Sequence, residues 1–238
     1  KISGICKVFV LSKSEAVIDF YRQNGLTCME CIADYKDRIL HELEVYDFVG
    51  VVHDADVSSD RKPNYVGKSR LYHIWENMVK DSGYIDNIIH LFDENEKLGL
   101  LTIPRANFED YFGDIGNGWN GHFDAVKNLA EKYQIQCNLD YMKPPFEQVH
   151  NFWIRGSLLQ FVKKADTDLR KLLPWMWCYI AQDRGYLSGI VECKSYAEMN
   201  AINQQYYLDV IGEQIRRQFG GFQNLQELQE LLSRRGLV

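Results

Sequence analysis

The segment from Tyr46 to Asp56 constrains the fold of this chain more than any other, because a run of β-forming residues ends there on two acidic side chains. Its middle part is almost entirely apolar, as is typical of a parallel strand that is covered on both faces. Asp54 and Asp56 follow at once, and open α/β sheets bind their ligands just beyond the carboxyl ends of such strands. The pattern therefore predicts an α/β domain with its site at the end of this strand.

The spacing of Asp54 and Asp56 supports two interpretations. Carboxylates two residues apart are hard oxygen ligands that can share Mn²⁺ or Mg²⁺ with the diphosphate of a nucleotide sugar. Aspartate is also common in turns, so the pair could simply open a polar loop. Basic residues collect in the next segment, and Lys68 and Arg70 among them would suit an anionic diphosphate leaving group. A solvated loop with the same charges is the alternative.

Composition excludes several functional classes. The 238 residues are 46% hydrophobic, which is enough to bury a full core. A net charge of −6 leaves no basic field for a nucleic acid partner. No apolar stretch approaches the roughly 20 residues of a membrane-spanning helix, and residues 1–4 lack a signal-peptide pattern. The six cysteines are scattered apart from Cys28 and Cys31, so we expect reduced thiols. These features predict a cytoplasmic protein, with the inner face of the membrane as a further location.

Hydrophobic periodicity predicts alternating strands and helices, followed by a mostly helical end. Strands are expected at 5–11, 26–32, 48–53, 98–103, 135–139 and 150–155, and helices at 15–23, 35–44, 71–80, 85–94 and 123–133. The β-α-β-α-β order of the first third predicts a parallel sheet. We expect two regions: an α/β domain at 1–165 that carries the Asp-x-Asp element, and a mostly helical region at 166–238 packed on it through apolar faces.

Residues 107–121 are dense in aromatic residues, Gly and Asp and have no clean period. Long, irregular loops on α/β scaffolds are commonly binding loops, and aromatic faces stack well on the C–H faces of sugars. We therefore predict that Trp119, Asn120 and Trp153 contact an acceptor sugar. An ordered lid packed by its own aromatic residues is the alternative for the loop, and a core position is the alternative for Trp153.

Five short motifs follow one another along the chain. They are Tyr46-Asp47-x-Val49-x-x-x-His53, Leu98-Gly99-Leu100, Gly118-Trp119-x-Gly121, Phe152-Trp153-x-Arg155 and Ala181-Gln182-x-x-Gly185-Tyr186. The ordered set resembles the rhamnan synthesis F family of bacterial glycosyltransferases over roughly 35–232. The resemblance implies a GT-A-like parallel or mixed sheet flanked by helices. It also implies transfer of a sugar from a nucleotide donor to a surface polysaccharide or glycoprotein, with His53, Trp119, Trp153 and Arg155 lining the site.

The chain also departs from the family pattern. Asp54 and Asp56 follow His53 where the family typically has a basic or small residue, which is closer to the Asp-x-Asp of metal-dependent GT-A enzymes. Fewer strands precede this motif than a full nucleotide-binding half usually has. The chain also begins at Lys1 rather than Met, so we expect a fragment of a longer polypeptide that carries further transferase domains.

The transferase interpretation assigns a role to each candidate residue. Asp54 and Asp56 would hold the cation, and His53, Lys68, Arg70 and Arg155 would contact the UDP- or dTDP-linked donor. Glu147 is the expected catalytic base for the acceptor hydroxyl, and Asp140 and Asp114 are the alternatives. A non-catalytic module that binds glycans or docks a neighbouring transferase domain is the competing interpretation. A phosphatase-like hydrolase is a third, although its catalytic lysine and threonine context is missing.

Overall fold

A computed structural model describes residues 6–30, 40, 42–53, 64–104, 119–145, 151–219, 230 and 233, with the backbone alone at 29–30, 64–70, 164 and 218–219. The strands are β1 (Phe9–Ser12), β2 (Thr27–Glu30), β3 (Phe48–Val51), β4 (Leu98–Thr102), β5 (Phe152–Arg155) and β6 (Leu187–Ile190). The helices are α1 (Glu15–Gln23), α2 (Asn64–Met78), α3 (Ser82–Glu94), α4 (Phe123–Lys132), α5 (Gly156–Leu159), α6 (Thr167–Asp183) and α7 (Lys194–Phe219). The predicted α/β class, a mixed sheet flanked by helices with a helical C-terminal extension, is confirmed.

The described strands form two sheets. β1 and β2 pair in parallel in a two-stranded sheet, and the other four strands form a sheet in the order β3-β5-β4-β6. β5 is antiparallel to both of its neighbours, whereas β4 and β6 are parallel. The prediction that the first three strands continue one parallel sheet is therefore wrong at β3. Its partner is a strand from much later in the chain, which short-range periodicity does not reveal.

Side chains alternate between the two faces of the four-stranded sheet, as the strand period requires. Leu100, Ile154 and Phe152 face a core that includes the buried sides of α4 and α6. Leu101 and Trp153 face a second core with the buried sides of α2 and α3. Both faces are covered, which explains why these strands consist of continuous apolar runs.

Residues 135–139 form no strand, although their alternation predicts one. Ile135 is buried, and Cys137 and Leu139 pack half-buried against the same core as α4 and α6. The N–H of Gln136 is donated to the carboxylate of Asp183 at 2.8 Å. The alternating apolar residues therefore pack against one apolar surface. The side chain of Asp183 accepts the hydrogen bond that a neighbouring strand would otherwise accept.

α2 differs from the prediction, and α6 contains an internal proline. α2 begins at Asn64, so it includes residues that a polar composition placed in a loop, and burial of Ile74 and Met78 anchors its later turns. α6 continues through Pro174, although a proline inside a helix usually ends or kinks it. Proline removes a helical hydrogen bond and costs roughly 3 kcal/mol in a helix interior. Nine residues of α6 are buried, and that apolar burial offsets the cost.

The chain divides into two compact units, residues 1–193 and 194–238. α6 contributes to the core of the first unit, so the predicted boundary at residue 165 falls inside that unit. The second unit contains α7, whose apolar side chains are largely exposed, with Ile202 at 70% and Tyr206 at 65%.

Candidate functional site

One edge of the four-stranded sheet gathers the carboxyl ends of three strands and the start of the fourth. Val51 at the end of β3 and Thr102 at the end of β4 both pair with Phe152, the first residue of β5. Thr102 also pairs with Ile190, the last residue of β6. We call the edge formed by these four residues the loop edge. Ligands of open α/β sheets bind beyond such an edge.

Three of the predicted site residues belong to segments that are next in sequence to the loop edge. Residues 54–63 follow β3, residues 105–118 follow β4, and residues 146–150 precede β5. Asp54, Asp56 and Glu147 belong to these segments and lie outside the described residues. The strand register therefore pairs Val51, which precedes the predicted metal pair in the chain, with Phe152, which follows the predicted base.

A hydrogen bond joins the residues that flank two of these segments at the sheet. The backbone N–H of His53 is donated to the side-chain oxygen of Asn151 at 2.7 Å. Asp54 is the next residue after His53, and Glu147 lies four residues before Asn151. Asn151 was missed at the sequence level, because an asparagine before a strand resembles an ordinary turn residue.

The predicted basic contacts lie in two different places. Lys68 and Arg70 belong to the first two turns of α2, and their side chains are outside the described part of the structure. Arg155 ends β5 and pairs with Phe48 at the sheet edge opposite the loop edge. Three residue steps along a strand separate it from Phe152, a distance of about 10 Å. The structure therefore does not bring Arg155 together with His53.

The guanidinium of Arg155 is engaged by the protein. It donates hydrogen bonds to the backbone oxygens of Leu98 at 2.6 Å and Asn95 at 2.8 Å, and a third to that of Phe92. Its carbon lies 5.3 Å from the ring centre of Phe48 and 5.6 Å from that of Phe92, within cation–π range. These contacts bind the C-terminal end of α3 to the start of β4.

Both candidate tryptophans are buried. Trp153 is 6% exposed, donates its indole N–H to the oxygen of Met78 at 3.1 Å, and covers Gly50, where a Cβ would lie 2.9 Å from the ring. Trp119 is 1% exposed and stacks on Tyr179 at 6.1 Å. A sugar platform needs an exposed ring face, so this geometry favours a core role for both indoles. Asn120 is exposed and adopts a left-handed conformation with φ of 48°.

A turn that the sequence did not single out lies beside Trp119. The indole N–H of Trp119 is donated to the oxygen of Tyr141 at 3.0 Å, and the Tyr141 side chain is 53% exposed. The ring of Phe123 contacts the rings of both residues edge-on, at 5.0 Å from Trp119 and 5.4 Å from Tyr141. The exposed aromatic residue of this region is therefore Tyr141.

The end of β6 brings further polar groups to the loop edge. Asn77 is fully buried and accepts a hydrogen bond from the N–H of Cys193 at 2.9 Å. The Tyr84 hydroxyl donates a hydrogen bond to the backbone oxygen of Asn77 at 3.0 Å. Burial raises the pKa of Tyr84, and the nearby Cys193 and Glu192 raise it further. Glu192 is thus a carboxylate near the loop edge that sequence reasoning missed.

Within the described ranges, no three His, Cys, Asp or Glu side chains are grouped so that they could hold a metal ion. The five described cysteines are free thiols, and burial raises the pKa of Cys178 to about 12. Such a thiol is protonated at neutral pH and is a poor nucleophile. The expected metal pair, Asp54 and Asp56, and the remaining cysteine, Cys31, lie outside these ranges.

Among the helices of the described residues, none has the length and apolar character needed to cross a membrane.

The fold is a mixed α/β fold in which the ends of three strands and the start of a fourth meet at the loop edge. The family model described as rhamnan synthesis protein F matches residues 12–172, about two thirds of the chain. The chain belongs to this family, which takes part in rhamnan synthesis, a cell wall polysaccharide pathway. The match includes four of the five motifs and ends before the fifth, Ala181 to Tyr186. No curated protein and no solved structure gave a significant match.

Proposed function

We propose that this protein is a glycosyltransferase that moves a sugar from a UDP- or dTDP-linked donor to a polysaccharide or glycoprotein glycan during rhamnan synthesis. Membership of the rhamnan synthesis protein F family supports the biological role. The observation that carries the chemical part is that the end of β3, which precedes Asp54 and Asp56 in the chain, pairs with the start of β5, which follows Glu147. The hydrogen bond between His53 and Asn151 joins the described residues next to these two segments.

Asp54 and Asp56 are the residues that would hold Mn²⁺ or Mg²⁺. Two carboxylates directly after a strand supply the hard oxygen ligands that these ions prefer, so the donor set fits the cation. A bound cation would offset the charge that develops on the diphosphate as the glycosidic bond breaks. His53, Lys68 and Arg70 would contact the donor phosphates, since hydrogen bonds from positively charged groups to phosphate are strong.

Glu147 is the proposed general base. In an inverting reaction it would take the proton from the acceptor hydroxyl while the hydroxyl oxygen forms the new bond to the sugar and the nucleotide diphosphate leaves. Asn151 would act as a positioning residue, because it fixes the backbone at His53 close to the segment that carries this base.

The test measures Mn²⁺-dependent hydrolysis of UDP- and dTDP-sugars by the full chain. Asp54→Asn and Asp56→Asn should each lower turnover by on the order of 10²-fold, as expected for one lost charge-stabilising group. Asp86→Asn is the matched control, since Asp86 is an exposed aspartate on α3. Unchanged turnover in both Asp54 and Asp56 variants would refute the metal role.

Calorimetry separates the transferase from a non-catalytic glycan-binding or docking module. The transferase should bind a nucleotide sugar in a Mn²⁺-dependent manner, whereas the module should bind glycan and no nucleotide.

A further inference from the structure

A rigid turn presents Tyr141 to solvent. Met142 donates its N–H to the carboxylate of Asp140 at 2.9 Å, and Lys143 donates its N–H to the backbone oxygen of Asp140 at 3.1 Å. The indole N–H of Trp119 donates a hydrogen bond to the backbone oxygen of Tyr141, and the turn ends at the buried Pro145. Tyr141 is nevertheless 53% exposed, so an open aromatic side chain stands on an ordered backbone.

The ring of Tyr141 is also supported from the core. Tyr141 meets Phe123 edge-on at 5.4 Å, Phe123 meets Trp119 at 5.0 Å, and Trp119 stacks on Tyr179 at 6.1 Å. The contact with Phe123 restricts the Tyr141 ring on one side, so the ring loses less side-chain freedom when a ligand binds than an unsupported ring would. Such preorganisation lowers the entropic cost of binding.

The position of Tyr141 in the chain relates it to the proposed site. Trp119 directly follows residues 105–118, and the turn of Tyr141 ends at Pro145, directly before residues 146–150. The bond between Trp119 and Tyr141 therefore joins described residues near the ends of these two segments. Six residue steps separate Pro145 from Asn151, which allows at most about 21 Å. Among the described side chains of the first unit, the other exposed aromatic residues are Phe20, Tyr21, Tyr72 and Trp75, which lie on α1 and α2.

We infer that Tyr141 is a stacking platform for a neutral hexose or 6-deoxyhexose unit of the glycan acceptor, an inference that rests on the proposed function. A pyranose presents an apolar C–H face to an aromatic ring and hydroxyl groups at its rim. Asp140 and Lys143 stand beside the ring as an ion pair at 3.9 Å, and they supply hydrogen-bond acceptors and donors for such hydroxyls.

The test is calorimetric titration of the full chain with a rhamnose trisaccharide and, separately, with a UDP- or dTDP-sugar plus Mn²⁺. Tyr141→Ala should bind the trisaccharide about tenfold more weakly, as expected for the loss of one stacking contact. Tyr141→Phe keeps the ring and should bind as the wild type does. Phe20→Ala removes an equally exposed aromatic residue from α1 and is the matched control. Tryptophan fluorescence should show the same thermal midpoint for all four proteins.

The two arms of the titration separate this inference from the proposed function. Trisaccharide affinity that is unchanged in Tyr141→Ala, or absent from the wild type, overturns the platform, whatever the donor arm shows. Absence of donor binding in the wild type overturns the proposed transferase activity. The role of Tyr141 is then decided by the trisaccharide affinities of the wild type and Tyr141→Ala alone. A loss confined to the trisaccharide arm of Tyr141→Ala supports the platform.

Discussion

Substitution of Arg155 tests whether its main role is structural. The sequence alone suggested a contact with the nucleotide sugar, whereas the structure shows three hydrogen bonds to backbone oxygens at the end of α3 and the start of β4. A lysine at this position keeps the charge but loses the planar fork that reaches several oxygens at once. Arg155→Lys therefore separates the loss of geometry from the loss of charge.

The expected effect follows from the contacts. Hydrogen bonds to charged groups contribute roughly 1.5–3 kcal/mol each, and such contributions do not simply add. A lysine can keep one of the three, so we expect Arg155→Lys to lower the free energy of unfolding by about 2 kcal/mol. Arg155→Ala also removes the contacts with Phe48 and Phe92, so we expect a loss of about 4 kcal/mol.

Urea unfolding followed by tryptophan fluorescence measures this effect in the first unit alone, because all five tryptophans lie within residues 1–193. Arg22→Lys is the matched control, since Arg22 makes an exposed pair with Asp19 on α1 and should change stability by less than about 0.5 kcal/mol. A stability of Arg155→Lys equal to that of the control would refute the structural role. Loss of donor affinity at unchanged stability would favour the contact with the nucleotide sugar.

Two further predictions concern a glycine and a helix cap. A Cβ at Gly156 would lie 1.9 Å from the backbone oxygen of Tyr46, so Gly156→Ala should destabilise the first unit by about 3 kcal/mol or more. In the control Gly83→Ala the nearest atom to the new Cβ is 3.6 Å away, so this variant should not be destabilised. Equal urea midpoints of the two variants would contradict the prediction. The N–H of Leu169, and then Lys132, lower the pKa of Asp166 from 3.8 to about 2. Because the folded-state pKa is the lower one, the stabilisation is present above about pH 4 and is lost as the pH falls through 2. The difference in thermal midpoint between wild type and Asp166→Asn should therefore shrink from pH 5 to pH 2, and a constant difference would oppose the assignment.

Local sequence patterns predicted the helices and strands better than they predicted which strands pair. The apolar run that ends at Thr102 and the periodic apolar residues of α3 carry short-range signals, and both elements form where expected. The pairing of β3 with β5 joins residues about a hundred positions apart, so no window of the sequence contains both partners. The start of α2 was missed for a related reason, since tertiary burial of Ile74 and Met78 overrides a polar first turn.

The sequence predicts a position for the candidate site but not its supporting contacts. Asp54 and Asp56 follow β3 in the chain and lie outside the described residues, so their place in the site stays a prediction. Asn151 and Tyr141 were missed because each is identified by a hydrogen bond with a residue distant in sequence. The role of Arg155 was missed because backbone oxygens at a helix end leave no signature in residue types.

The contacts made by the recognisable motifs are explained by packing of the fold more than by catalysis. A Cβ at Gly99 would lie 2.5 Å from the Cβ of Tyr186, Gly50 lies beneath Trp153, and Arg155 binds the oxygen of Leu98. These contacts join residues of different motifs, and they follow from packing at strands β3 to β6 rather than from ligand binding. The proposed catalytic acids, Asp54, Asp56 and Glu147, are not part of the five motifs. A shared scaffold is therefore compatible with an Asp-x-Asp sequence that differs from the pattern of the family.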